Sequence, residues 1–114
     1  ENLFSLLSSY NNIENIPVNI TLTPAAYTGS AVYINANNTA ILQELSLNLG
    51  KIASRVQQAC YGNCEENIPE KTCKDNLIIW TQSSDKEIYQ KENCIFIKGD
   101  IASVDAFLYK LFNP

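Results

Sequence analysis

Histidine and methionine are both missing from this 114-residue chain. Histidine is the usual general base near neutral pH and the commonest metal ligand. Its absence removes Ser-His and Cys-His nucleophile pairs and most catalytic zinc sites, so an enzyme is not the expectation. With no methionine, Glu1 reads as a processing boundary, and a signal or anchor segment is expected upstream. Long apolar runs are also missing. None approaches the roughly 20 residues that span a bilayer, so no membrane insertion by this segment is expected. Charge is sparse and scattered, with 8 Lys and Arg against 12 Asp and Glu for a net charge of −4. A nucleic-acid surface needs a basic stripe, which this chain lacks. The glycines form no phosphate-binding fingerprint, and no cofactor is expected.

What the chain does have is four cysteines, an even number in a short sequence. Three readings of them compete. Disulfides in an oxidising compartment are favoured by count and size. Of the three connectivities, Cys73–Cys94 with Cys60–Cys64 is preferred. Cys73 lies just before one apolar segment and Cys94 opens another, so parallel neighbouring strands would bring both to one sheet edge. Zinc would need knuckle-like pairs, whereas the gaps here are three, eight and twenty residues. A redox pair would need Cys-x-x-Cys opening a helix, whereas Cys60-x-x-x-Cys64 follows one. Asn19-Ile20-Thr21 and Asn37-Asn38-Thr39 have the form of N-glycosylation sequons, so Asn19 and Asn37 are candidate modification sites.

Length and the 46% apolar, 18% charged composition fit one globular domain over residues 1–114. Leu3, Leu6, Leu7 and Tyr10 predict a short amphipathic helix over 1–12, either packed on the domain or ending a stalk or anchor. Val18, Ile20 and Leu22 alternate with polar residues between Pro17 and Pro24, as in an edge strand. Residues 31–35 predict a second strand. Ile41, Leu42, Leu45, Leu49, Ile52, Ala53 and Val56 share one stripe and predict a long helix through residue 56. Segments 76–81 and 94–97 read as buried strands. Between them, Ser84 and Glu87 form a capping box that predicts a helix through Lys91. Ile101, Val104, Phe107, Leu108, Leu111 and Phe112 face inward on a closing helix.

These elements predict an α/β domain with a small mixed, centrally parallel sheet of about four strands, flanked by helices on both faces and stapled by disulfides. The link from Thr81 to Cys94 is close to the minimum for a parallel crossover, which leaves an antiparallel pairing open. In such sheets ligands bind beyond the carboxyl ends of the strands. Asn37, Thr81, Ser83, Ser84 and Asp100 stand there and are candidate ligand-binding residues. The competing reading is that strand-to-helix turns simply need capping side chains. Glu65-Glu66 and Asp85 with Glu87 are the only carboxylate clusters suited to acid–base work, and both fall at solvated positions. Trp80, which could serve a sugar platform, reads as core.

Residues 73–112 carry a resemblance. Asp75-Asn76-Leu77-Ile78-Ile79, the run from Asn93 to Asp100 and the run from Asp105 to Phe112 resemble the ending of uncharacterised archaeal secreted proteins with S-layer-like α/β segments and a membrane-spanning start. The resemblance implies archaeal cell-surface placement and no activity. The expectation is therefore a secreted, non-enzymatic assembly domain of a cell envelope or extracellular filament, partnered by other protein subunits. A ligand-binding domain of a surface receptor is the alternative.

Overall fold

The computed structural model describes residues 15–62, 64 and 67–113. The helix expected over 1–12 and the Glu65-Glu66 pair lie outside the described residues. Six strands form one sheet: β1 (Val18–Asn19), β2 (Ala31–Asn35), β3 (Arg55–Gln58), β4 (Leu77–Thr81), β5 (Glu87–Lys91) and β6 (Cys94–Lys98). Among the described residues two α-helices accompany them, α1 (Thr39–Leu49) and α2 (Ile101–Phe112). The strand order is β1-β5-β6-β4-β2-β3. Strands β6, β4, β2 and β3 run parallel, β5 is antiparallel to β6, and β1 is parallel to β5.

The mixed sheet with a parallel centre agrees with the sequence expectation, whereas its size and covering differ from it. Among the described residues there are six strands rather than about four, because two segments expected to be helical contribute strands. The first is residues 50–56, which form a turn and the start of β3. Helix α1 stops at Leu49, with Gly50 as its C-cap. The chain then ties back to the entry of β2: Gly29 N–H donates to Ile52 O at 2.9 Å and Ser54 N–H to Ser30 O at 2.9 Å. This places Val56 in register with Val32. Val56 still packs against the same core, so the helical spacing of Ile52, Ala53 and Val56 marks burial without a helix.

The second correction is residues 84–91. A helix there would have one aliphatic side chain to bury, Ile88. As strand β5 the segment instead pairs five residues with β6, from Glu87↔Lys98 to Lys91↔Cys94. A two-residue turn, Glu92-Asn93, closes this hairpin, with Glu92 at φ 55 as such turns demand. Strand β5 also explains how a short link joins two parallel strands. The chain runs along β4, passes over the position β6 will take, returns along β5 and enters β6 between them. No helical crossover is needed.

Strand β1 is shorter than the 18–22 alternation suggests, although Ile20 and Leu22 beyond it still pack on the core. The carbonyl oxygen of Gln90's side chain fixes the segment after β1. It accepts from Thr21 N–H at 2.7 Å, Leu22 N–H at 3.3 Å and the Thr21 hydroxyl at 3.1 Å.

The two faces of the sheet differ. Both helices lie on one face, where Val32, Ile34, Ile78, Ile88, Ile95 and Ile97 meet Ile41, Leu45, Leu49, Val104, Phe107, Leu108 and Leu111. Each fully buried aliphatic or aromatic side chain contributes about 1.5–3 kcal/mol, so this layer supplies most of the driving force. The expected helix on the opposite face is absent among the described residues. That face is covered by the loop between β3 and β4, whose Ala59 and Cys73 pack with Tyr33, Leu77, Ile79 and Cys94. This loop carries the disulfides, Cys60–Cys64 and Cys73–Cys94. Leu77 stands in register with Cys94, so parallel β4 and β6 bring Cys73 within a Cα separation of 4.8 Å from Cys94.

Tyr27 is fully buried at the entry to β2, and its hydroxyl has no hydrogen-bond partner among the described residues. An unsatisfied buried hydroxyl costs about 1–3 kcal/mol. Burial also pushes its phenol pKa well above the ordinary 10.0. Tyr27→Phe is therefore expected to stabilise the fold by about 1 kcal/mol in urea titrations at neutral pH. A phenol raised in the folded state holds its proton more tightly there than in the unfolded chain. Its contribution is complete below pH 10 and falls above it, by up to about 1.4 kcal/mol per pH unit. The variant should lose that alkaline slope.

Candidate functional site

The carboxyl ends of β2, β4 and β6 share one edge of the sheet, and both α-helices begin there. Asn38 caps α1, with its side-chain oxygen accepting from Ile41 N–H at 3.1 Å. Asp100 caps α2 in the same way, accepting from Ala102 N–H at 3.0 Å. Between these two helix starts lies an open cleft of about 200 Å³, lined by Asn38, Ala40, Ile41, Trp80, Gln82, Asp100 and Ile101. Trp80 forms part of its wall, and the indole Nε1 is buried without a hydrogen-bond partner among the described residues.

The chemistry of this cleft is narrow. Helix N-termini ordinarily favour anions. Here both starts are already capped by their own side chains, and one cap is a carboxylate. Lys86 Nζ stands 3.4 Å from the other Asp100 oxygen, with both side chains well exposed. An anion would have to displace that pairing. A small neutral hydroxyl or amide compound matches the polar lining of Asn38 and Gln82 better.

The candidate residues drawn from the sequence are not all gathered there. Asp100 lines the cleft, whereas Asn37, Thr81, Ser83 and Ser84 do not. Asn37 is exposed in the bend before α1. Thr81 ends β4 in register with Lys98, on the sheet face away from the helices. Ser83 Oγ accepts from Asp85 N–H at 3.1 Å and so shapes the turn into β5. Ser84 is exposed in the same turn. Trp80, expected in the core, serves both core and cleft, because it closes a strand at the sheet edge. Asp85 is exposed and Glu87 is half-buried in β5, in register with Lys98.

The face away from the helices carries an aromatic group that no sequence spacing announces. Phe96 stacks on Tyr89 with ring centroids 5.0 Å apart and planes at 11°. Tyr61 also meets Phe96, with centroids 5.8 Å apart and the rings nearly perpendicular. Tyr89 and Tyr61 remain 37% and 38% exposed. Nearby, Lys71 Nζ sits 4.5 Å above the Tyr33 ring, and Arg55 donates to the Tyr33 hydroxyl at 3.1 Å.

Among the described residues no three Cys, Asp or Glu side chains come together as a metal site, and no helix is long and apolar enough to cross a membrane. Two disulfides are the chemistry of an oxidising environment, consistent with an extracellular setting. No family model matches the chain, and neither the curated proteins nor the solved structures contain a significant match to it.

Proposed function

We propose that this chain is a non-enzymatic domain of the cell surface or an extracellular filament, and that it works by assembling with further copies of itself. The observation that carries the reading is the end strand β3. Among the described residues no strand pairs with its outer edge, and only just beyond its end does the segment around Glu70 bridge to Cys60. Ala59 N–H donates inward to Ile34 O at 2.8 Å, while Cys60 N–H turns outward to Pro69 O at 2.8 Å. By that alternation the peptide groups of Val56 and Gln58 face outward. The strand Arg55-Val56-Gln57-Gln58 contains no proline, no bulge and one charge, so it lacks most devices that blunt an edge. Strand β1, at the opposite edge, offers only two residues. Addition of a neighbouring strand to β3 is the most direct assembly route.

Gln58→Pro tests this. It removes one outward N–H from an exposed edge position, where proline is tolerated. Light scattering and electron microscopy of the oxidised protein should show oligomers or fibres that the variant loses, with urea stability changed by less than about 1 kcal/mol. A wild-type chain that stays monomeric at high concentration overturns the assembly reading.

A second reading, a ligand-binding domain, is favoured by the cleft between the helix starts. Quenching or enhancement of Trp80 fluorescence by a small sugar or amide would support it.

A further inference from the structure

We infer that Asn19 carries an N-linked sugar and that the outer face of Tyr89 is built to hold its first residue. The inference rests on the extracellular placement proposed above and goes beyond it by selecting one of two sequons. Asn19 is exposed in edge strand β1 and stands in register with Tyr89. The neighbouring pair Val18 and Ile88 points to the helix-covered core, so Asn19 and Tyr89 both project from the opposite face. Across that face the residues run Ile79, Phe96, Tyr89 and Asn19, one per strand. Phe96 occupies one side of the Tyr89 ring by stacking on it. The other side looks along the sheet towards β1 and Asn19.

A sugar on Asn19 can lay the C–H face of its ring on that free aromatic surface. This would cover an apolar ring that is 37% exposed. The segment that follows is fixed just beyond the attachment point, because Gln90 Oε1 accepts three hydrogen bonds from Thr21 and Leu22. Asn37 is exposed as well, but it has no aromatic ring in register with it among the described residues. It lies in a bend with no cross-strand partner, and its sequon is consumed by α1, with Asn38 as cap and Thr39 as first helical residue.

The donor is a lipid-diphosphate-linked oligosaccharide, used by a membrane-bound oligosaccharyltransferase. Asn19 Nδ2 bonds to the anomeric carbon of the first sugar. The bond from that carbon to the diphosphate oxygen breaks, and the lipid diphosphate leaves with the electron pair. The amide gives up one proton.

The test begins with mass spectrometry of peptides from protein secreted by a host with N-linked glycosylation. The expected result is a sugar on Asn19. The glycans are then trimmed to one sugar by an endoglycosidase. Trimmed wild type should melt about 4 °C above Asn19→Gln, a shift that corresponds to roughly 1 kcal/mol for a domain of this size. Tyr89→Thr should abolish the sugar-dependent difference, and Tyr89→Trp should retain it. The Trp variant keeps the test decisive if the Thr variant folds poorly. Secreted protein with both disulfides formed but Asn19 bare overturns this inference and leaves the extracellular reading standing. The same sugar-dependent shift in Tyr89→Thr overturns the role of the ring. Recovery of the native chain with four free thiols overturns both readings.

Discussion

Removing the Cys73–Cys94 bridge as Cys73→Ala with Cys94→Ala is expected to cost about 3 kcal/mol, whereas Cys60→Ala with Cys64→Ala should cost about 2 kcal/mol or less. The two bridges span 21 and 4 residues, and the longer one removes more freedom from the unfolded chain. Their positions widen the gap. Cys73 and Cys94 are buried between β4, β6 and the covering loop, so their loss also leaves a small void in the minor core. Cys60 and Cys64 are half-buried on the loop's outer turn. Urea titrations of the two double variants, compared at their midpoints, measure this difference. Equal losses would mean that the covering loop, rather than closure of the β4–β6 segment, limits stability.

Gly99→Ala is expected to cost about 3 kcal/mol through two separable causes. Gly99 joins β6 to α2 at φ +133, a region open to glycine and strained for other residues. A Cβ built there collides with Ser103 Oγ and lies 3.1 Å from both Ser103 Cβ and Lys86 Cγ. The tightness has a structural purpose, because Asp100 must follow at once as the cap of α2. Adding Ser103→Ala removes the hydroxyl collision and should recover about half the loss, leaving the backbone strain. Thermal melts of the single and double variants separate the two terms. Full recovery by Ser103→Ala would refute the strain component.

The parts of the fold that sequence reveals are those where one residue type has one use. Leu77–Trp80 and Cys94–Ile97 are apolar at every position, which suits strands covered on both faces. Given parallel strands, the cysteines before β4 and at the start of β6 had to meet. Asp100 answers to the capping reading of the strand-to-helix turns, since its side chain accepts from Ala102 N–H at the start of α2. The misread segments are those where a local pattern had two uses. Ile52, Ala53 and Val56 keep helical spacing yet are buried from a turn and a strand. Ser84 and Glu87 look like a capping box, but Ile88 needs the sheet, and pairing with β6 outweighs a weak helix with one aliphatic residue to bury. The covering of the second face was not legible, because a disulfide-tied loop does the work expected of a helix. The cleft is legible only in part. Asp100 follows from the strand-end rule, whereas Trp80 and Gln82 join it through side-chain directions set by the sheet. The Tyr89–Phe96 stack depends on β5 being a strand, so the helical reading of that segment hid it.

The reversal at β5 gives the domain a mechanical polarity. Strand β1 begins at the edge where the parallel strands end, and α2 runs from that edge back to the other. A tensile load applied between Val18 and Phe112 therefore slides β1 along β5 and α2 along the sheet rather than peeling them apart. The two-residue β1 is the weak link and yields first. Extension then meets the Cys73–Cys94 bond, which withholds roughly 70 Å of contour from the stretched chain, at about 3.4 Å for each of the 21 residue steps it spans. What a pull leaves intact is the covalently closed loop that holds β4 and β5, whose ends the bridge keeps together after the sheet around them has opened.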